Sequence, residues 1–151
     1  PGDPAWRGRV APLGGGAVKF EVRVYGLPVA QGRPRAAKLP SGQIRVYDPA
    51  RSKDWKRTIQ AQALTCKPER LLLGPLEGEM DFYLPRPKSA PKRLVYPAKR
   101  PDVDNLLKAC LDAIQGIVLL DDAQIVSLRV AKHYATESAP PGVYVRLEEL
   151  G

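Results

Sequence analysis

The chain has 151 residues, with 24 Lys or Arg against 16 Asp or Glu and a formal net charge of +8. That length fits one domain, and 44% apolar residues supply a core, which excludes global disorder. No apolar run approaches the roughly 20 residues of a membrane span, the first residues hold no apolar secretory stretch, and the excess of cations points to a polyanionic partner, nucleic acid first.

Residues 1–17 mix Pro with Gly, end in Gly14-Gly15-Gly16 and show no periodicity, which predicts a flexible tail ahead of one domain over 18–151. Lys19 to Tyr25 alternates, with Phe20, Val22 and Val24 on one face, and predicts a half-buried strand. Gln31-Gly32-Arg33-Pro34-Arg35 follows as a basic loop. Ser41-Gly42 then reads as a turn and Gln43 to Tyr47 as a short strand. Asp48-Pro49 supplies an N-cap acceptor and a first-turn proline for a helix from Ala50 to about Thr65. Trp55, Ile59 and Ala63 should face its core, and Lys53, Lys56 and Arg57 mark a basic face.

Leu76 to Leu84 alternates again, with Met80, Phe82 and Leu84 inward and Glu79 and Asp81 outward. Pro85 to Pro101 carries Arg86, Lys88, Lys92, Arg93, Lys99 and Arg100 and no acid; its prolines block helix and sheet interior, which predicts a long, exposed, basic loop containing Tyr96. Asp104 to Gln115 is a predicted helix with Leu107, Cys110, Leu111 and Ile114 as its apolar stripe and Gly116 as its C′ residue. Asp121-Asp122 reads as a turn. Gln124 to Tyr134 and Val143 to Leu147 read as the closing strands, the first with Val126, Leu128 and Val130 on one face and His133 on the other, at the surface. Cys66 and Cys110 read as buried thiols.

Two cysteines and one histidine leave no disulfide framework and no His-rich metal site. A metal site would have to be built from carboxylates, whose oxygens suit magnesium or manganese. Asp102 and Asp104 stand two apart in an extended lead-in, where i and i+2 share a side. A return through Gly116–Leu120 could bring Asp122 back beside them. Three clustered carboxylates repel one another unless a cation sits between them. Lys108, four residues after Asp104, shares its helix face and could pair with it or reach a phosphate. The plainer alternatives are that Asp102 or Asp104 only caps a helix, that Asp104 and Lys108 form an ordinary surface pair, and that Asp121-Asp122 is only a turn.

The stretch Arg100-Pro101-Asp102-Val103-Asp104-Asn105-Leu106-Leu107-Lys108-Ala109, followed by Leu111-Asp112-Ala113-Ile114, Gly116-Ile117-Val118 and Asp121-Asp122-Ala123-Gln124-Ile125-Val126, resembles the RusA family of Holliday-junction resolvases. Gly26-Leu27-Pro28-Val29 with Gly32-Arg33-Pro34-Arg35, and Tyr47 to Lys53, resemble its phage and prophage branch. The resemblance implies a magnesium- or manganese-dependent endonuclease that cuts branched DNA, the four-way junction, as a homodimer in the cytoplasm of a bacterial or phage-infected cell. It places Asp102, Asp104 and Asp122 on the catalytic metal ligands and Lys108 on an essential lysine, with Asp121 as a supporting acid. Arg33, Arg35, Lys53, Lys56, Arg57, Arg86, Lys88, Lys92, Arg93, Lys99 and Arg100 become candidate phosphate contacts. A junction's approximate two-fold symmetry fits a C2 dimer with two sites.

The expected fold class is therefore α+β: a mixed, largely antiparallel sheet carrying two main helices. The rival readings are a non-catalytic DNA-binding protein and a carboxylate-metal nuclease acting on flap or single-stranded substrates.

Overall fold

The computed structural model describes residues 19–32, 35–47 and 50–151, and for 35–37 and 45–47 the backbone alone. The proposed tail, Arg33 and the Asp48-Pro49 helix start lie outside the described residues. In chain order the elements are β1 (Lys19–Tyr25), β2 (Arg35–Lys38), β3 (Ile44–Tyr47), α1 (Ala50–Cys66), β4 (Leu76–Leu84), α2 (Val103–Ile114), a turn of 3-10 helix (Asp122–Gln124), β5 (Ile125–Tyr134) and β6 (Gly142–Glu149). Four strands form one sheet in the order β1-β6-β4-β5, and β2 and β3 form a separate hairpin. The β1–β6 and β4–β6 pairs are antiparallel and β4–β5 is parallel. The parallel pair is possible because α2 lies in the crossover between its strands. The fold is α+β with a mixed, largely antiparallel sheet and two helices, as expected.

One sheet face is apolar. Phe20, Val22 and Val24 of β1, Met80 and Phe82 of β4, and Val143, Val145 and Leu147 of β6 join Trp55, Ile59 and Ala63 of α1 and the inner face of α2 in one core. Burial of each large side chain contributes roughly 1.5–3 kcal/mol. The α2 stripe is broader than its spacing suggests. Leu106, Ala109, Cys110, Leu111, Ala113 and Ile114 are buried, whereas Leu107 is only half-buried. Gly116 takes φ +85°, the left-handed conformation that ends a helix at a glycine.

Several expectations are corrected. Arg35 begins a strand rather than continuing a loop, because Ser41-Gly42 folds Arg35–Lys38 back on Ile44–Tyr47. Glu79 and Asp81 point away from the apolar core but are buried. Arg146 covers Glu79 with its Nε 3.2 Å from the carboxylate. His133 Nε2 lies within hydrogen-bond distance, 2.7 Å, of Asp81 Oδ1, which Arg129 also approaches at 3.6 Å, so this histidine belongs to a polar network on the second sheet face. Val126 is 63% exposed because β5 bulges there: Leu76 pairs with Ile125, but Glu77 pairs with Ser127. Cys66 is exposed at the end of α1, while Cys110 is buried, and burial pushes its thiol up to about 12.

Candidate active site

Asp102 is the extended residue at which α2 starts (φ −72°, ψ 143°), and its side chain makes no capping bond. Helical geometry begins at Val103, so Asp104 already sits in the first turn. Strand alternation therefore does not govern this pair; both acids share one helix end for a different reason. The N–H groups exposed there favour negative charge. Asp104 Oδ1 accepts from the Asn105 N–H at 3.0 Å, while Asp102, Lys108 and Asp122 have no side-chain hydrogen bond or ion pair among the described residues. All four are exposed. The surface-pair alternative is not realised, since Lys108 does not pair with Asp104; of the two capping alternatives Asp102 makes no capping bond, while Asp104 does satisfy one first-turn N–H, that of Asn105.

Asp121 does cap. Its Oδ1 accepts from the Ala123 N–H at 2.9 Å, and Gln124 answers through Oε1 to the Asp121 N–H at 2.8 Å, a reciprocal capping box. Gln124 Oε1 also accepts from the Leu120 N–H at 3.0 Å, and its Nε2 donates to the carbonyls of Leu72 at 2.7 Å and Gly74 at 3.0 Å. Every donor and acceptor of that amide has a partner. Gln124 is the residue that a search for charged groups misses. Its signal was a Gln three positions after Asp121, the spacing of a capping box. Asp122 is left as the outward acid of this rigid turn.

The turn stays at the far end of α2. Gly116 N–H donates to Leu119 O at 2.7 Å, Val118 N–H to Ile114 O at 2.9 Å, and Leu72 N–H to Val118 O at 2.8 Å. These bonds close the return upon itself beside residues 72–74. Asp102 belongs to the opposite end. Lys132, near the end of β5, donates to the carbonyls of Lys99 at 2.8 Å and Pro101 at 2.9 Å. The twelve residues of α2 span about 18 Å, and the rise from Ile125 to Lys132 along β5 is roughly 23 Å. The expected return of Asp122 to Asp102 within one chain is corrected accordingly. Among the described residues no three His, Cys, Asp or Glu gather closely enough to hold a metal ion.

Cations concentrate at the Asp102 end. Lys88, Lys92, Arg93, Lys99 and Arg100 are exposed in the segment between β4 and α2, with no side-chain partner among the described residues. Tyr96 is 75% exposed among them. Arg86 is committed elsewhere, stacked 4.9 Å from the Tyr134 ring centre and bonded to the Pro91 carbonyl. A half-open cleft of about 260 Å³ lies here, walled by Leu27, Pro85, Pro101 and Tyr134 and edged by Arg51 and Arg100. The Gln31 N–H donates to Asn105 O at 2.9 Å, which fastens the segment after β1 to the first turn of α2. On α1, Lys53 is exposed, Arg57 lies 3.8 Å from Asp54, and Lys56 is largely covered with its ammonium 3.7 Å from Asp112. Lys56 thus joins the two helices and is the least available cation of the predicted basic face. The Arg35 side chain lies outside the described residues.

A mixed four-stranded sheet with two helices on one face, Asp102 and Asp122 without a side-chain partner among the described residues at the two ends of α2, and a basic, proline-rich approach define the class. The family described as "Endodeoxyribonuclease RusA" matches residues 26–148, and the chain belongs to it. It is also 38% identical over 143 residues to a Bacillus subtilis (strain 168) protein named "Uncharacterized protein YqaN", which covers 88% of this chain and 96% of that one. No helix among the described residues is long and apolar enough to cross a membrane.

Proposed function

We propose that this protein is a metal-dependent endonuclease that resolves four-way DNA junctions in recombination and repair, acting as a homodimer in the cytoplasm. The observation that carries the reading is the set of exposed acids in the motif that resembles the family's: among the described residues Asp102 and Asp122 have neither a salt bridge nor a capping bond, and Asp104 has only its bond from the Asn105 N–H. All their donors are carboxylate oxygens, which suit magnesium or manganese.

One chain spreads these donors too widely to enclose an ion, and a two-fold pair removes the difficulty. A two-fold axis near the middle of α2 and β5 exchanges their ends. The Asp102–Asp104 end of one protomer then stands beside the partner's Asp122, twice per dimer. Each such site would hold one or more divalent cations, which supply Lewis-acid stabilisation to a phosphodiester undergoing hydrolysis. Lys108, one turn along α2 from Asp104 and without a partner among the described residues, would meet a phosphate oxygen there and offset the acids' repulsion of the backbone. Lys88, Lys92, Arg93, Lys99 and Arg100, with Lys53, Arg57 and Arg33, would hold neighbouring phosphates. Binding should therefore weaken steeply with salt.

The test is a labelled immobile four-way junction beside flap, single-stranded and linear duplex DNA, each incubated with magnesium, with manganese and with chelator. Paired nicks in the junction alone, lost with chelator, are the expected result. Tight junction binding without cutting in either metal would favour a non-catalytic binding protein, and preferential flap cutting would favour a different nuclease.

A further inference from the structure

Lys132 breaks the pattern of its strand. Beyond the Val126 bulge, Leu128, Val130 and Lys132 share the face of β5 that turns toward the core, and Lys132 stands in register with fully buried Phe82. A hydrophobic side chain is expected there. The ammonium instead reaches past the sheet to two carbonyls, Lys99 O at 2.8 Å and Pro101 O at 2.9 Å, on either side of Arg100. The side chain is only partly exposed, and its bond to the Pro101 carbonyl is partly shielded from water. The next residue after Pro101 is Asp102. The segment leading to it, from Pro85, has no helix or strand of its own and presents six cations and no acid. Asp102 itself has no side-chain bond among the described residues to hold it.

We propose that Lys132 is a positioning residue for the carboxylate metal site: it fixes the backbone before Asp102 and so sets where that carboxylate stands. This deepens the reading of Asp102 as a metal ligand and rests on it. Outer groups that orient metal ligands typically change metal affinity about 10–100-fold when removed. An ammonium has three donors and its acceptors here are two neutral carbonyls, so the contact needs a donor of lysine's reach, which arginine supplies and methionine lacks.

The experiment measures manganese binding to the full chain by paramagnetic resonance, with junction cutting in parallel, for the wild type, Lys132→Met, Lys132→Arg and Asp102→Asn. Lys132→Met should bind manganese about 10-fold or more weakly, require correspondingly more metal for half-maximal cutting, and recover rate at high metal. Lys132→Arg should recover most of the affinity. Melting temperatures separate positioning from folding: a Lys132→Met protein that is less stable yet binds manganese as the wild type does would overturn the proposal. If Lys132→Met does not fold, Lys132→Gln takes its place with the same readings. A wild type that binds no manganese and whose Asp102→Asn variant cuts equally well would bring down the carboxylate site itself, and Lys132 with it. A wild type that binds and cuts, with Lys132→Met indistinguishable from it, would overturn only the role of Lys132.

Discussion

The two ends of α2 hold their acids by opposite means. At the C-terminal end, Asp122 rides on a turn locked by a capping box, by four hydrogen bonds of one glutamine amide and by the closed Gly116–Leu119 return. At the N-terminal end, Asp102 follows a long proline-rich segment, and the bonds around it are mostly to backbone: two from Lys132 to Lys99 and Pro101, the Gln31–Asn105 bond, the Leu106 N–H to the Asp102 carbonyl and the Asn105 N–H to Asp104. On the proposed reading, a nuclease that grips a metal and admits a bent DNA strand would have use for this difference. The rigid acid would serve as a fixed post. The other lies beside the basic, exposed segment that would meet the backbone.

The largest effect should come from removing either acid. Asp102→Asn and Asp122→Asn each keep the shape but lose a full anionic donor, and should slow junction cutting by about 1,000-fold or more while leaving junction binding equal or tighter, read by gel shift in calcium. If the two variants differ by orders of magnitude, the two ends do not serve one site.

Gln124→Ala sharpens the contrast. It strips the turn of four hydrogen bonds and leaves the part-buried Leu72 and Gly74 carbonyls without a donor. A loss of about 2–4 kcal/mol in urea unfolding is expected, at roughly 1 kcal/mol per bond. A fall in cutting should accompany it under conditions where the protein remains folded. A variant with unchanged stability would show that the post is not rigid for the reason given.

A smaller effect concerns pH. The Arg70 guanidinium, with help from the Leu73 and Gly74 N–H groups, holds the Glu149 carboxyl below its ordinary value, and this clasp secures the 70–74 segment on which Gln124 leans. A carboxyl lowered in the folded state contributes stability above its unfolded pKa and loses it as pH falls through the folded one. Wild-type stability should therefore decline below about pH 4.5 more steeply than that of Glu149→Gln. Parallel acid limbs in the two melting curves would contradict this. Because Arg70 is exposed, water screens much of the interaction, and the effect at neutral pH should be small.

Much of this architecture was legible in the residues. Alternation in Lys19–Tyr25 and Leu76–Leu84 and the apolar spacing in both helices marked their elements, because burial on one face imposes a period. The hairpin strand Arg35–Lys38 was hidden by its short, basic sequence. The buried Glu79 and Asp81 were hidden because alternation tells which side a residue faces, not whether cations on neighbouring strands cover it. For the proposed site, residue type and motif nominated Asp102, Asp104, Lys108 and Asp122. Sequence could not show that α2 separates them. That follows from the closed Gly116–Leu119 turn and from the backbone bond that ties it to the distant Leu72. Lys132 was invisible for the same reason: its partners are backbone carbonyls 31 and 33 residues away.

The composite site is tested most directly by mixing. Asp102→Asn and Asp122→Asn proteins, each inactive alone, are denatured together, refolded to exchange subunits and assayed on the junction. If each site takes Asp102 and Asp104 from one subunit and Asp122 from the other, a mixed dimer holds one intact site and one doubly damaged one. Nicking should then return, as single rather than paired cuts, at up to about half the mixture's dimers by random pairing. No recovery from a mixture shown to contain mixed dimers would mean that each site is built within one chain.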